Sequence, residues 1–281
     1  MTVLELTGIT LIGSVLAGGL GAVTGLGGGV VIIPLLTLGL GVDIRYAIGA
    51  ALISVIATSS GAAAAYVKEG FSNVRIGMFL EVATTIGAIS GAYIATWMPT
   101  AGISIIFGVA LLWSIYATNQ PHKDHLSDIG PNPLATSLGM NSCYPTSGGW
   151  EDYFPQNVPG GFGLMYVAGV LSGLLGIGSG MVKVLAMDQV MQLPFKVSTT
   201  TSNFMIGVTA AASAGIYFSR GYIDPGLCLP VVLGVLFGSL VGAKLLVHAP
   251  VQLLRIVFSV VLGIVAVQML WQGISGLGLK L

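Results

Sequence analysis

The chain has 281 residues, of which 54% are apolar and 7% charged, with ten Lys and Arg balancing ten Asp and Glu. Ordinary soluble domains carry about 25% charged residues, so this composition excludes a soluble globular protein and points to a polytopic α-helical membrane protein. Zero formal charge and the lack of a basic cluster give no reason to expect nucleic acid as a partner. Its apolar runs are continuous rather than alternating, which excludes a lipid-embedded β-barrel.

The N-terminus, Met1-Thr2-Val3-Leu4-Glu5, has no basic segment of the kind that opens a cleaved signal peptide, so the first apolar run is expected to stay in the mature protein. That run extends from about 7 to 41. One helix through all of it would be ~50 Å long at ~1.5 Å per residue, too long for one crossing of a ~30 Å hydrocarbon core. Inside it stands Thr24-Gly25-Leu26-Gly27-Gly28-Gly29, with four glycines in five residues. Glycine weakens a helix and admits positive φ, so the sequence predicts a break near mid-depth and a half-helix starting after Gly29. Irregular backbone at that depth persists only where protein or a polar cavity satisfies its amides, and transporters place such breaks at anionic substrates. Pro34, in the half-helix, reads as a packing and kink residue.

A short loop with Asp43 and Arg45 follows, then predicted helices over about 46–67, 76–97 and 103–118, with a loop carrying Lys68 and Arg75 between the first two. Residues 119–160 are polar and rich in Pro, Gly and Ser. The chain therefore divides into a transmembrane unit over 1–118, an inter-repeat linker over 119–160 and a second transmembrane unit over 161–281. The second repeats the first at a constant offset of 151 residues: Gly25 falls on Gly176, Gly29 on Gly180, Arg45 on Lys196, Tyr66 on Tyr217, Gly87 on Gly238, Pro99 on Pro250 and Phe107 on Phe258. The expected fold class is all-α, a transmembrane bundle of two sequence-related repeats, each with a Gly-rich broken helix or helical hairpin. An odd number of crossings per unit would invert one repeat relative to the other. The few Lys and Arg then favour a cytoplasmic linker and external termini.

Four groups of residues could carry chemistry. Lys183 lies just past the second break, where the first unit has Ile32. A mid-bilayer lysine costs about 2.5–3.5 kcal/mol on insertion scales, so it is expected either to be neutralised, by Asp188 or by snorkelling, or to hold an anion together with the amides of Gly178, Ser179 and Gly180. The run Ser198-Thr199-Thr200-Thr201-Ser202-Asn203 offers hydroxyls and an amide to an oxyanion, the alternative being ordinary interhelical hydrogen bonding. Glu81 is the one carboxylate well inside a predicted helix of the first unit, a candidate for proton coupling or, near the Arg75 loop, a group reaching water. Arg45 and Lys196 occupy matching loop ends and read as gate charges or interfacial anchors. Cys143 and Cys228 form no metal-ligand spacing with His, and no catalytic motif is present, so no metal, cofactor or enzymatic activity is expected.

The segments Thr24-Gly25-Leu26-Gly27-Gly28-Gly29-Val30-Val31-Ile32-Ile33-Pro34 and Gly176-Ile177-Gly178-Ser179-Gly180-Met181-Val182-Lys183, with Lys196-Val197 and Ser198 to Asn203, resemble the sulfite exporter TauE/SafE family of membrane permeases. The resemblance implies a secondary transporter that exports sulfite or an organosulfonate such as sulfoacetate across the bacterial inner membrane by alternating access. It departs from the family pattern at Ser179, where the motif has glycine, and at Leu185, where proline is usual. Taken together, the residues and the resemblance give an expected substrate site of Thr24, Gly27, Gly28, Gly29, Gly178, Ser179, Gly180, Lys183, Thr201, Ser202 and Asn203, with Arg45, Lys196 and Glu81 gating or coupling. The expected partners are a small anion and the lipid bilayer, with a homodimer left open. An anion channel, or a transporter of another small anion or of a cation, stands as the alternative.

Overall fold

The computed structural model describes residues 3–24, 28–68, 72–118, 130–146, 149–246 and 251–276. Gly25, Gly27 and Pro250 lie outside the described residues. The first half comprises α1 (Val3–Thr24), the short α2 (Gly29–Pro34), a π-helical turn (Leu35–Gly39), α3 (Ile44–Lys68), α4 (Val74–Trp97) and α5 (Thr100–Thr118). The linker contributes α6 (Pro133–Ser137) and the strands β1 (Ser142–Thr146) and β2 (Gly149–Tyr153). The second half follows with α7 (Val158–Leu175), α8 (Gly180–Leu185), a π-helical turn (Ala186–Val190), α9 (Phe195–Ser219), α10 (Pro225–Leu246) and α11 (Val251–Gly276).

The sequence register carries through to these boundaries. α2 and α8, the two π-turns, α3 and α9, α4 and α10, and α5 and α11 each begin 151 residues apart. Pro34 closes α2, whereas Leu185 closes α8, and both are followed by a π-turn of five residues. Proline is therefore not what forces the turn. α4 begins at Val74 rather than further on, because the Asn73 side chain accepts a hydrogen bond from Ile76 N and caps the helix; Arg75 thus stands in its first turn rather than in a loop.

The helices pair across the halves, α1 along α10, α4 along α7, α3 along α9 and α5 along α11. Glycines set the closeness of the first two pairs. A Cβ on Gly173 would lie 2.0 Å from Ala88 O, and one on Gly238 2.0 Å from Val15 O. Backbone meets backbone at these seams, as in membrane bundles where small residues permit dense contact.

The described part of the linker is folded. β1 and β2 form an antiparallel hairpin, and Tyr153 from its end is buried with Ile76, Leu80, Met187 and Met205. Its hydroxyl accepts a hydrogen bond from Asn73 Nδ2 at 2.8 Å, and burial raises the phenol above the usual tyrosine range. The linker thus docks where α4 begins.

Polarity is inverted relative to a soluble protein. Lys183, Asp188 and Glu81 are buried, while Leu16, Trp97, Phe218, Phe237, Leu240 and Trp271 are largely exposed. That distribution suits a molecule surrounded by hydrocarbon. By length and composition, α4 and α7 are each apolar and long enough to cross a membrane.

Candidate functional site

The second break is built from three left-handed residues within four positions. α7 ends on Gly176 in the left-handed conformation, with its N–H donating to Ser172 O at 2.8 Å. Gly178 (φ 71°) and Ser179 (φ 44°) are left-handed as well, and α8 starts at Gly180. Glycine accepts such angles freely, whereas a serine does so under strain. The segment is pressed against α9: a Cβ on Gly178 or Gly180 would meet Ile206 at 2.8 or 2.6 Å. The first break differs, since Gly28, next to α2, is right-handed at φ −65°.

Lys183, one turn into α8, is wholly buried. Its ammonium donates to Thr209 Oγ1 of α9, and Thr209 Oγ1 donates in turn to Glu81 Oε1 of α4 at 2.6 Å. Lys183 Nζ stands 3.9 Å from Glu81 Oε2. Thr85 Oγ1 also donates to Glu81 Oε1, at 3.2 Å. A hydroxyl that accepts from a cation and donates to an anion is polarised in one direction, which strengthens both hydrogen bonds in a dry interior. Glu81 is 5% exposed, with Thr209 of α9 and Lys183 of α8 against its carboxylate.

The Ser and Thr run at the start of α9 is divided between local bonds and bonds to other elements. Thr200 Oγ1 donates to Lys196 O at 2.9 Å, and Thr201 Oγ1 accepts from Asn73 N at 3.0 Å. Ser202 Oγ donates to Gly180 O at 3.1 Å and so ties α9 to the break. Asn203 is half-buried, and the buried Ser198 hydroxyl has no hydrogen-bond partner among the described residues.

A cavity of about 230 Å³ lies on another side of α8, lined by Val30, Ile106, Val109, Ala110, Trp113, Leu171, Ile177, Ser179, Gly180 and Val182. Ser179 is 3% exposed, and its hydroxyl has no hydrogen-bond partner among the described residues. The break therefore faces two environments, an apolar cavity at Ser179 and a charged pair at Lys183.

The other expected site residues are dispersed. Gly28 and Gly29 sit at the first break, with Gly29 close to Gly176 O, so the two breaks touch. Thr24 is the last residue of α1. Arg45 donates from Nη2 to Met98 O at 2.7 Å and lies 5.7 Å from the centroid of the Tyr222 ring, while Lys196 is exposed near the start of α9. Sequence reading missed Thr209, Thr84 and Thr85, since a threonine in an apolar helix carries no local signal of its partner. Among the described residues, no group of three or more His, Cys, Asp or Glu is placed to hold a metal ion.

A family model described as sulfite exporter TauE/SafE matches residues 10–269. Two Bacillus subtilis proteins are similar. The probable membrane transporter protein YunE is 26% identical over 279 residues, covering 95% of this chain and 98% of that protein. The probable membrane transporter protein YdhB is 26% identical over 228 residues, covering 78% and 82%. A probable membrane transporter protein of Methanocaldococcus jannaschii is 24% identical over 273 residues, covering 91% and 92%. No solved structure matches the chain.

Proposed function

The chain belongs to the sulfite exporter TauE/SafE family of membrane transporters, and on that premise we propose that it exports a small sulfur oxyanion, sulfite or an organosulfonate such as sulfoacetate, across the bacterial inner membrane by alternating access. The observation that carries this reading is Lys183: a wholly buried cation beside a helix break, facing Glu81 of the other half. A buried cation is costly even when paired, and its place beside the break suits an anion-binding centre.

In this reading the two halves, 1–118 and 161–281, are inverted repeats, which the common offset of their element boundaries and their crosswise pairing support. The two breaks meet at the centre, where rocking of one half against the other exposes a single site to either side. Lys183 and the backbone around Gly178, Ser179 and Gly180 bind the anionic head; Thr201, Ser202 and Asn203 orient it. Glu81 couples protons, and Arg45 and Lys196 guard the two mouths.

Binding of sulfite, sulfate, sulfoacetate and taurine to purified protein, compared between wild type and Lys183→Ala, tests the proposal. Saturable binding of sulfite or a sulfonate is expected, and it disappears in the variant. Undiminished binding in the variant moves the site away from the second break. No binding of any anion by the wild type returns the choice to a channel or a cation carrier.

A further inference from the structure

Lys183 and Glu81 already satisfy one another. The ammonium reaches Glu81 Oε1 through the Thr209 hydroxyl and stands 3.9 Å from Oε2, which accepts no hydrogen bond among the described residues. An incoming anion attracted to Lys183 finds this carboxylate in its place. Two anions sharing one buried cation repel each other without solvent to screen them.

Among the described residues, the surroundings offer Glu81 no other counter-charge. α7, packed along α4, carries no charged residue, and Tyr166 is its only titratable group. On α9 the charged residue is Lys196, near the far end from Thr209, with Tyr217 as the other titratable group. α8 and its π-turn bring Lys183 and the buried Asp188. On α4 itself, Arg75 donates to Gly139 O, and Tyr93 is near the other end.

We propose that Glu81 is the resident counter-anion of Lys183, that a substrate monoanion replaces it at the ammonium only as the carboxylate takes up a proton from water, and that each bound monoanion therefore carries a proton with it. The inference rests on the reading of Lys183 as the ligand of the anionic head. Charge balances: ammonium and carboxylate sum to zero in the empty site, and ammonium, neutral carboxylic acid and monoanion sum to zero in the loaded one. The only covalent bond formed is the O–H of Glu81, and the one broken is an O–H of solvent hydronium, which leaves water. Thr209, released from the carboxylate, has Met205 O at 3.0 Å and Thr84 Oγ1 at 3.5 Å as alternative acceptors. Singly charged oxyanions, hydrogen sulfite and alkylsulfonates, are thus preferred over sulfate, which would leave the loaded site charged.

The test uses the purified full chain and methanesulfonate, whose charge does not change near neutral pH. Calorimetric titration in buffers of different ionisation enthalpy counts the protons. Wild type is expected to take up about one proton per anion, with affinity tightening roughly tenfold per pH unit of acidification while Glu81 is ionised in the empty site. Glu81→Gln is expected to bind with no proton uptake and no pH dependence. Should that variant not fold, an infrared difference spectrum of the wild type gives the same answer, since a protonated carboxyl band must appear on binding. Binding that requires Lys183 yet takes up no proton overturns the exchange and leaves the anion site standing. Binding that survives Lys183→Ala, or no binding of methanesulfonate, sulfite or sulfoacetate, overturns the reading of the site and the exchange with it.

Discussion

Thr209 of α9 donates to Glu81 of α4 across the same sequence separation, 128 residues, as Thr201 of α9 accepting from Asn73 at the start of α4. The two helices therefore run parallel and in register, fixed by one hydrogen bond at the linker end and one in the interior. Lys183 joins the inner bond from α8. A slide of α9 along α4 breaks both contacts at once, so the charge state of Glu81 and the position of α9 are mechanically linked.

Lys183→Ala leaves Glu81 buried without its cation, and breaking a buried pair in this way costs about 3–5 kcal/mol. Glu81→Gln in the same background removes the stranded charge and is expected to recover most of that loss. Thermal unfolding of the two single variants and the double variant, in one detergent, measures the coupling. Additive effects would show that the pair is not energetically joined.

Thr209→Val keeps the shape of the side chain and deletes the hydroxyl between the two charges. Losing a hydrogen-bonded group between buried charged partners costs about 1–3 kcal/mol. Thr209→Ser retains the hydroxyl and is expected to lose less. Equal destabilisation by Val and Ser, read from denaturation midpoints, would assign the role of Thr209 to its methyl group rather than to its bridge.

Ser179 holds a left-handed backbone with a buried hydroxyl that bonds to nothing among the described residues. Glycine at this position relieves strain of about 1 kcal/mol, so Ser179→Gly is expected to be more stable than wild type. Ser179→Ala keeps the strain and removes only the hydroxyl. If both variants lose substrate affinity to the same degree, the hydroxyl contacts the ligand; if neither does, it is a tolerated departure from the glycine motif.

Much of this was legible in the sequence, for identifiable reasons. Glycine clusters and the lengths of the continuous apolar runs located the second break and the long helices, because both signals are local. The offset between Gly25 and Gly176 anticipated the matching starts of α3 at Ile44 and α9 at Phe195. What stayed hidden was pairwise. Lys183 offered Asp188, near in sequence, as the obvious partner, whereas the structure pairs it with Glu81 from the other half. Glu81 read as close to water because Arg75 precedes it by less than two turns, yet it is buried against Thr209 of α9 and Lys183 of α8. The hairpin over 142–153 was hidden by its polar composition, which reads as a loop unless Tyr153 has somewhere to be buried.

Gly173 and Gly215 separate close approach from mere helix weakening. A methyl group on Gly173 would stand 2.0 Å from Ala88 O, and the neighbouring atoms are backbone, which cannot turn away. Gly173→Ala must push α4 and α7 apart, and a loss of about 1–3 kcal/mol is expected, as for overpacking elsewhere. At Gly215, within α9, a methyl group would meet no atom within 4 Å. Gly215→Ala should therefore show only the helix-propensity gain of about 0.5–1 kcal/mol. Melting temperatures of the two variants are expected to move in opposite directions from the wild type. If both fell, α9 would need flexibility at Gly215 for its fold; if both rose, the α4 and α7 seam would be looser than backbone contact at Gly173 implies.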